Sequence, residues 1–135
     1  MTAKEFMSQV QKAEREMLLF SARRRHYEDL MVSIGAKISS SVHSQNVSSK
    51  TETAAVGLVF MTEQLTAKIE EYTKLIKKAE ELIAKIPQEN FRKILTLKYL
   101  CGWSWKSIRD EMGYKDEKSV YRCHGYALRE LQKVM

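Results

Sequence analysis

The chain has 135 residues, room for one compact domain with an appendage or for two small units, and too little for a large enzyme of several lobes. One proline, five glycines and abundant Lys, Glu, Leu, Ile and Ala favour helix, and no Val- or Ile-rich run alternates with period two, so the expected fold class is all-α. The formal net charge is +6, divided as ten Lys/Arg against six Asp/Glu in 87–135 and thirteen against eleven in 1–86, which concentrates the basic excess at the C-terminal end.

From Phe6, apolar positions recur at alternating steps of four and three: Phe6, Val10, Ala13, Met17, Phe20, Arg24, Tyr27, Met31, Ile34 and Ile38. That rhythm is the seam of a coiled coil. Arg24 falls on the seam itself, where one polar side chain can fix register at some cost in stability. With Arg23, Arg25 and His26 it forms a basic cluster, either a phosphate contact or a solvated face balanced by Glu28 and Asp29. A second run, Leu58, Thr62, Leu65, Ile69, Tyr72, Ile76, Ala79, Ile83 and Ile86, keeps the same rhythm. The acid–base spacing of Glu70, Glu71, Lys74, Lys77, Lys78, Glu80 and Glu81 suits a solvent-facing helix surface.

Between the runs, the Ser- and Thr-rich stretch around 36–56 reads as a long mobile connection, because these side chains compete for backbone hydrogen bonds. Residues 1–86 are therefore expected as a long two-helix, coiled-coil-like unit. Its seams pair either within one chain, as an antiparallel hairpin, or between copies. Apolar residues beside the seams, Leu18, Leu19, Leu30, Phe60, Leu75 and Leu82, favour a homodimer or higher oligomer.

Pro87 separates this unit from 87–135. A helix over about Gln88–Cys101 has its core face in Phe91, Ile94, Leu95, Leu97, Tyr99 and Leu100 and ends at Gly102. Ser104 is placed to cap a short helix from Trp105 to Met112, with Trp105, Ile108 and Met112 inward. Gly113 makes a turn, and Asp116 caps a last helix whose inward face is Val120, His124, Ala127, Leu128 and Leu131. Trp103, Trp105 and the two cysteines, Cys101 and Cys123, are expected in the core, the cysteines as reduced thiols.

Two helices joined by a glycine turn, the second basic, are the layout that lays one helix in the DNA major groove. Lys118, Ser119, Tyr121 and Arg122 point outward near the start of the last helix, with Gly125 and Tyr126 beside them, and are the candidates for base contacts. Lys106, Lys115 and Arg129 are the candidates for phosphates, while Asp116 and Glu117 would repel them.

The stretch IPQENFRKILTLKYLCGWSWKSIRDEMGY followed by SVYRCHGYALREL resembles region four of sigma-70-type RNA polymerase sigma factors over about 45 residues. Over its full length the chain is similar to phage- and prophage-encoded proteins of that type, related to the ArpU-type transcriptional regulators. The resemblance implies a phage or prophage regulator in a bacterial cytoplasm, with bacterial RNA polymerase as a further candidate partner. Two positions depart from the sigma pattern: Arg109 stands where alanine is usual and must turn its charge outward, and the turn from Gly113 to Val120 is one residue longer.

The expected function is thus a sequence-specific regulator that binds duplex DNA. Alternatives are a phage assembly or packaging protein, small-terminase-like, and a polymerase-contacting adaptor that reads no bases. No phosphate-cradling glycine loop, metal-ligand spacing or nucleophile–base pair is visible, so neither an enzyme nor a metal or other cofactor is expected. No leader opens the chain, and its longest apolar stretch, Thr53–Thr62, falls short of the roughly 20 residues a bilayer needs, which predicts a cytoplasmic protein with no membrane partner.

Overall fold

The structure, a computed structural model, describes residues 1–40 and 45–135, and every element among them is helical. In chain order these are α1 (Ala3–Ser40), α2 (Gln45–Ala84), α3 (Glu89–Leu95), a π-helical turn (Thr96–Leu100), α4 (Trp105–Met112) and α5 (Glu117–Val134). They fall into two compact units, Met1–Ala13 with Tyr72–Met135, and Glu14–Glu71. No helix among the described residues is long and apolar enough to cross a membrane.

In the first unit, the outer ends of the two long helices share one core with the C-terminal helices. Phe6, Met7 and Val10 of α1, Ala79, Ile83 and Ile86 of α2, Ile94 and Leu95 of α3, Ile108 of α4 and Val120, Ala127 and Leu131 of α5 are all buried in it. Both ends of the chain are fixed there. Thr2 and Glu5 cap the start of α1 reciprocally, with Thr2 N donating to Glu5 Oε2 at 2.9 Å and Glu5 N donating to Thr2 Oγ1 at 3.1 Å. Ala3 N donates to Gln132 Oε1 at 2.7 Å, which ties the first turn of α1 to the last turns of α5. At the far end of α2, the Arg92 guanidinium donates to the carbonyls of Ile86 (2.6 Å) and Pro87 (2.9 Å), satisfying acceptors that a helix terminus leaves open.

The second unit consists of the inner stretches of α1 and α2. Lys68 Nζ donates to Glu16 Oε2 at 2.9 Å, Arg24 Nε donates to Thr62 Oγ1 at 2.9 Å, and Tyr27 lies on Gly57. Each step up α1 is matched by a step down α2, so the helices run in opposite directions here. Arg24, the polar residue on the seam, is also bonded to Glu28, so its charge is compensated where it is partly covered. Of the described apolar residues of this unit only Ala54 and Met61 are buried; the seam residues Met17, Phe20, Tyr27, Met31, Leu58 and Leu65 are half-buried and Ile69 is exposed.

Several expectations are corrected. The connection over 36–56 is not a loop: α1 continues to Ser40 and α2 begins at Gln45, and residues 41–44 lie outside the described residues. The low helix propensity of Ser and Thr is overridden by pairing, since Ala54 is buried and Gly57 carries the Tyr27 ring. The helix expected over 88–101 is α-helical only as far as Leu95 and then widens into the π turn, where Cys101 N donates to the carbonyl of Thr96 at 2.9 Å and Trp103 N to that of Leu97 at 3.0 Å. Gly102 (φ 71°) then takes the chain out of the helix and leaves Cys101 and Trp103 exposed, where a core position was expected for both.

A methyl group at Gly57 would overlap the Tyr27 ring. Replacing a helical glycine by alanine ordinarily stabilises by about 1 kcal/mol. The expectation is that Gly57→Ala gains nothing in the native background and recovers that gain when Tyr27→Ala removes the ring. Urea denaturation of the two single variants and the double variant measures this; equal gains in both backgrounds would show that the ring contact does not select glycine.

Candidate functional site

The C-terminal helices are set by local chemistry first. Ser104 caps α4, its Oγ accepting from Ser107 N at 3.2 Å. Gly113, at φ 74°, ends that helix in the left-handed region, and Tyr114 N donates back to the carbonyl of Arg109 at 3.1 Å. Asp116 caps α5, accepting from both Ser119 N (2.9 Å) and Ser119 Oγ (2.8 Å). The hydrogen bonds from Ser119, with Lys118 and Arg122 nearby, hold the Asp116 carboxyl below its ordinary range.

The orientation of α5 comes from an aromatic and polar cluster on its inner side. Tyr99, buried and carried by the π turn, places its hydroxyl 2.7 Å from His124 Nε2. Trp105 packs edge-on against both His124 and Tyr121, at centroid separations of 4.8 and 5.3 Å. Lys98 Nζ sits 4.3 Å from the centroid of the Trp105 ring. Burial, with Lys98 and Lys4 adding their positive charge, pushes the His124 pKa below its ordinary value, so the ring is neutral at physiological pH. Burial raises the Tyr99 pKa, so its hydroxyl keeps its proton.

With the inner face fixed, Lys118, Arg122 and Arg129 are exposed on α5 and, with Gly125 between them, recur at steps of four, three and four along one stripe. A Cβ built at Gly125 meets no atom within 4 Å, so the packing of this chain gives no reason for a glycine there. Arg129 lies over the ring of the exposed Tyr126, with 5.7 Å from Cζ to the centroid. Lys133, one further turn along and bonded to Glu130, extends the basic stripe and is not among the residues that sequence spacing singles out. Lys106 is exposed in the first turn of α4, and Lys115 in the connection to α5.

Two candidates stand differently from the others. Ser119 is half-buried, and both its amide and its hydroxyl are held by Asp116. Tyr121 is half-exposed, its ring on Trp105 and its hydroxyl donating to Glu117 Oε2 at 3.4 Å. Lys98 is a further cation that sequence spacing does not reveal, because only the π turn sets it over Trp105. Arg109 turns its guanidinium to Asp110 Oδ1 at 3.2 Å. Asp110, paired with Arg109, and Glu111, 3.5 Å from Lys93 Nζ, line a shallow groove with Trp103 and Ser107. No protein-family model matches this chain, and neither a curated protein nor a solved structure matches it.

The cluster around His124 makes stability depend on pH. Its folded pKa lies below the ordinary 6.5, so the contribution of the neutral ring is fully present above 6.5 and is lost as the pH falls below that value and through the folded pKa. Thermal midpoints measured from neutral pH down to acid should therefore fall more steeply for the native chain than for His124→Gln. Parallel curves would remove His124 as the cause. At neutral pH, Tyr99→Phe should cost about 1 kcal/mol, the net worth of one partly buried hydrogen bond.

Proposed function

We propose that α4 and α5 act as a helix-turn-helix that binds duplex DNA, with α5 in the major groove, and that the chain is a transcriptional regulator of the sigma region-four-like, phage or prophage type. The observation that carries this reading is the basic stripe of α5, Lys118, Arg122 and Arg129 around the bare backbone of Gly125. Cations at helical spacing follow a phosphate backbone, and a residue without a side chain lets that backbone approach the helix closely. The inner side of α5 is pinned through Val120, Ala127, Leu131 and His124, which gives a reading helix the rigid support that such contacts need.

In this reading Arg122 and Lys118 reach base edges and adjacent phosphates, while Lys106, Lys115 and Arg129 hold phosphates. Tyr121 presents its exposed edge to the groove. Ser119 acts through the cap, as the residue that fixes the first turn. The antiparallel stretches of α1 and α2 form a coiled-coil-like hairpin that sets subunit number and the spacing of half-sites. A contact with RNA polymerase would fall on the shallow groove of Trp103, Ser107, Asp110 and Glu111, which differs in residue type from the basic stripe of α5.

Selection of sites from a random duplex pool tests the reading. Arg122→Ala should lose about 1–3 kcal/mol on the selected site and much less on random duplex. Lys106→Ala should weaken all sequences alike and lower the slope of log affinity against log salt by roughly one. An absence of any enriched site, or equal losses for both variants on both kinds of DNA, would overturn it. Gly125→Ala separates contact from folding: with open space around it, the methyl should stabilise the helix by roughly 0.5–1 kcal/mol while weakening DNA binding. A more stable variant that binds as well as the native chain would remove Gly125 from the contact surface.

A further inference from the structure

The seams of α1 and α2 are engaged with each other inside the chain, through Glu16–Lys68, Arg24–Thr62 and Tyr27–Gly57, so they are not the surfaces that join copies. Each helix nevertheless carries a second apolar stripe. On α1, Leu19 (60 % exposed), Arg23, His26 and Leu30 (37 %) recur at steps of four, three and four. On α2, Val56 (66 %), Phe60 (52 %), Glu63 and Ala67 repeat the same steps, and all eight side chains are exposed. Within Thr53–Thr62 α2 is therefore apolar nearly all round while the chain covers only one of its faces, the pattern of a helix buried on two sides.

The charges within the two stripes are opposite and fall at matching heights. α1 carries Arg23, with Arg15 two turns earlier, and α2 carries Glu63, with Glu71 two turns later. A two-fold axis running along the hairpin keeps each residue at its own height. It sets α1 of one copy antiparallel to α2 of the other in the register of the Arg24–Thr62 contact, which the Glu16–Lys68 and Tyr27–Gly57 contacts match to within two residues. In that register Leu19 faces Ala67, Arg23 faces Glu63, His26 faces Phe60 and Leu30 faces Val56. The operation repeats every pair, since each copy supplies both stripes.

We infer that the second stripes of α1 and α2 are a self-complementary interface on which a second copy of this chain docks to close an antiparallel four-helix bundle, with Arg23 of each copy paired to Glu63 of the other. The arrangement explains why Glu14–Glu71 buries so little by itself: only Ala54 and Met61 are buried among its described apolar residues. Layers of Leu19 with Ala67 and of Phe60 with His26 supply the missing second side of the core, and the ion pair fixes which helix meets which. The inference does not depend on what α5 contacts.

The test is the mass of the full chain in solution without DNA, by sedimentation velocity over a concentration series, for the native protein, Arg23→Glu, Glu63→Arg and the double variant. The expected result is twice the 15.7 kDa of one chain for the native protein. Each single variant should weaken the dimer by at least roughly tenfold, and the double variant should restore most of that loss. Both positions are exposed, and unchanged helical circular dichroism confirms that each variant is folded. A native chain that stays monomeric at tens of micromolar, a closed ring, or a double variant no better than the worse single would each overturn the interface. DNA binding is read separately, so a dimer that selects no site would sink the regulator reading and leave this one standing.

Discussion

A helix with an apolar stripe is stable in water only when something covers that stripe, and in this chain the inward face of α5 carries one. Val120, Cys123, Ala127 and Leu131 are buried on one side of a helix whose other side is charged. α3 lies against it, α4 packs beside it, and the core they share extends to Phe6, Met7 and Val10 at the start of α1 and to Ala79, Ile83 and Ile86 at the end of α2. The outer stripe of α5 is a consequence of that anchoring. Once Val120, Ala127 and Leu131 point inward, the 3.6-residue repeat leaves Lys118, Arg122 and Arg129 no direction but outward.

The inner side of α5 is also more specific than an apolar core alone would make it. Tyr99 and His124 bring two polar groups into a partly buried place where each satisfies the other, and Trp105 closes over the ring. Such a pair admits one rotation of α5 about its axis, because turning the helix would leave a hydroxyl and an imidazole without partners. The π turn belongs to the same device: Tyr99 is one of its residues, and the wider turn sets where that side chain leaves the backbone.

Features that depend on neighbours along the chain are legible in the residues alone: the Ser104 and Asp116 caps, the left-handed glycines at 102 and 113, the limits of α4 and the beginning of α5. The four-three rhythm likewise marks the buried positions Phe6, Val10, Ala13, Ala79, Ile83 and Ile86. It says which face is covered and is silent about what covers it, so the division of each long helix between two compact units has no signal. The serine-rich stretch misleads because propensity is a fraction of a kcal/mol per residue, on the order of what one tertiary contact supplies. Trp103 misleads because composition marks a tryptophan as core while Gly102 decides which way the chain leaves the helix. For the candidate site, residue types and the outward face are readable from spacing; the capture of Ser119 by Asp116 and the placement of Lys98 over Trp105 require the fold.

The bond from Ala3 N to Gln132 Oε1 closes a loop of nearly the whole chain, since the residues are 129 apart in sequence. In sequence, Glu14–Glu71 lies between the two pieces of the other unit. On a ribosome, which releases the chain from its N-terminus, the start of α1 can meet Ala79, Ile83 and Ile86 at the end of α2 before α5 is made, and the remainder of the shared core closes only when α5 follows. A chain stopped a few residues before Gln132 would lack the side chain that accepts from Ala3 N, and with it the tie between the first turn of α1 and the last turns of α5.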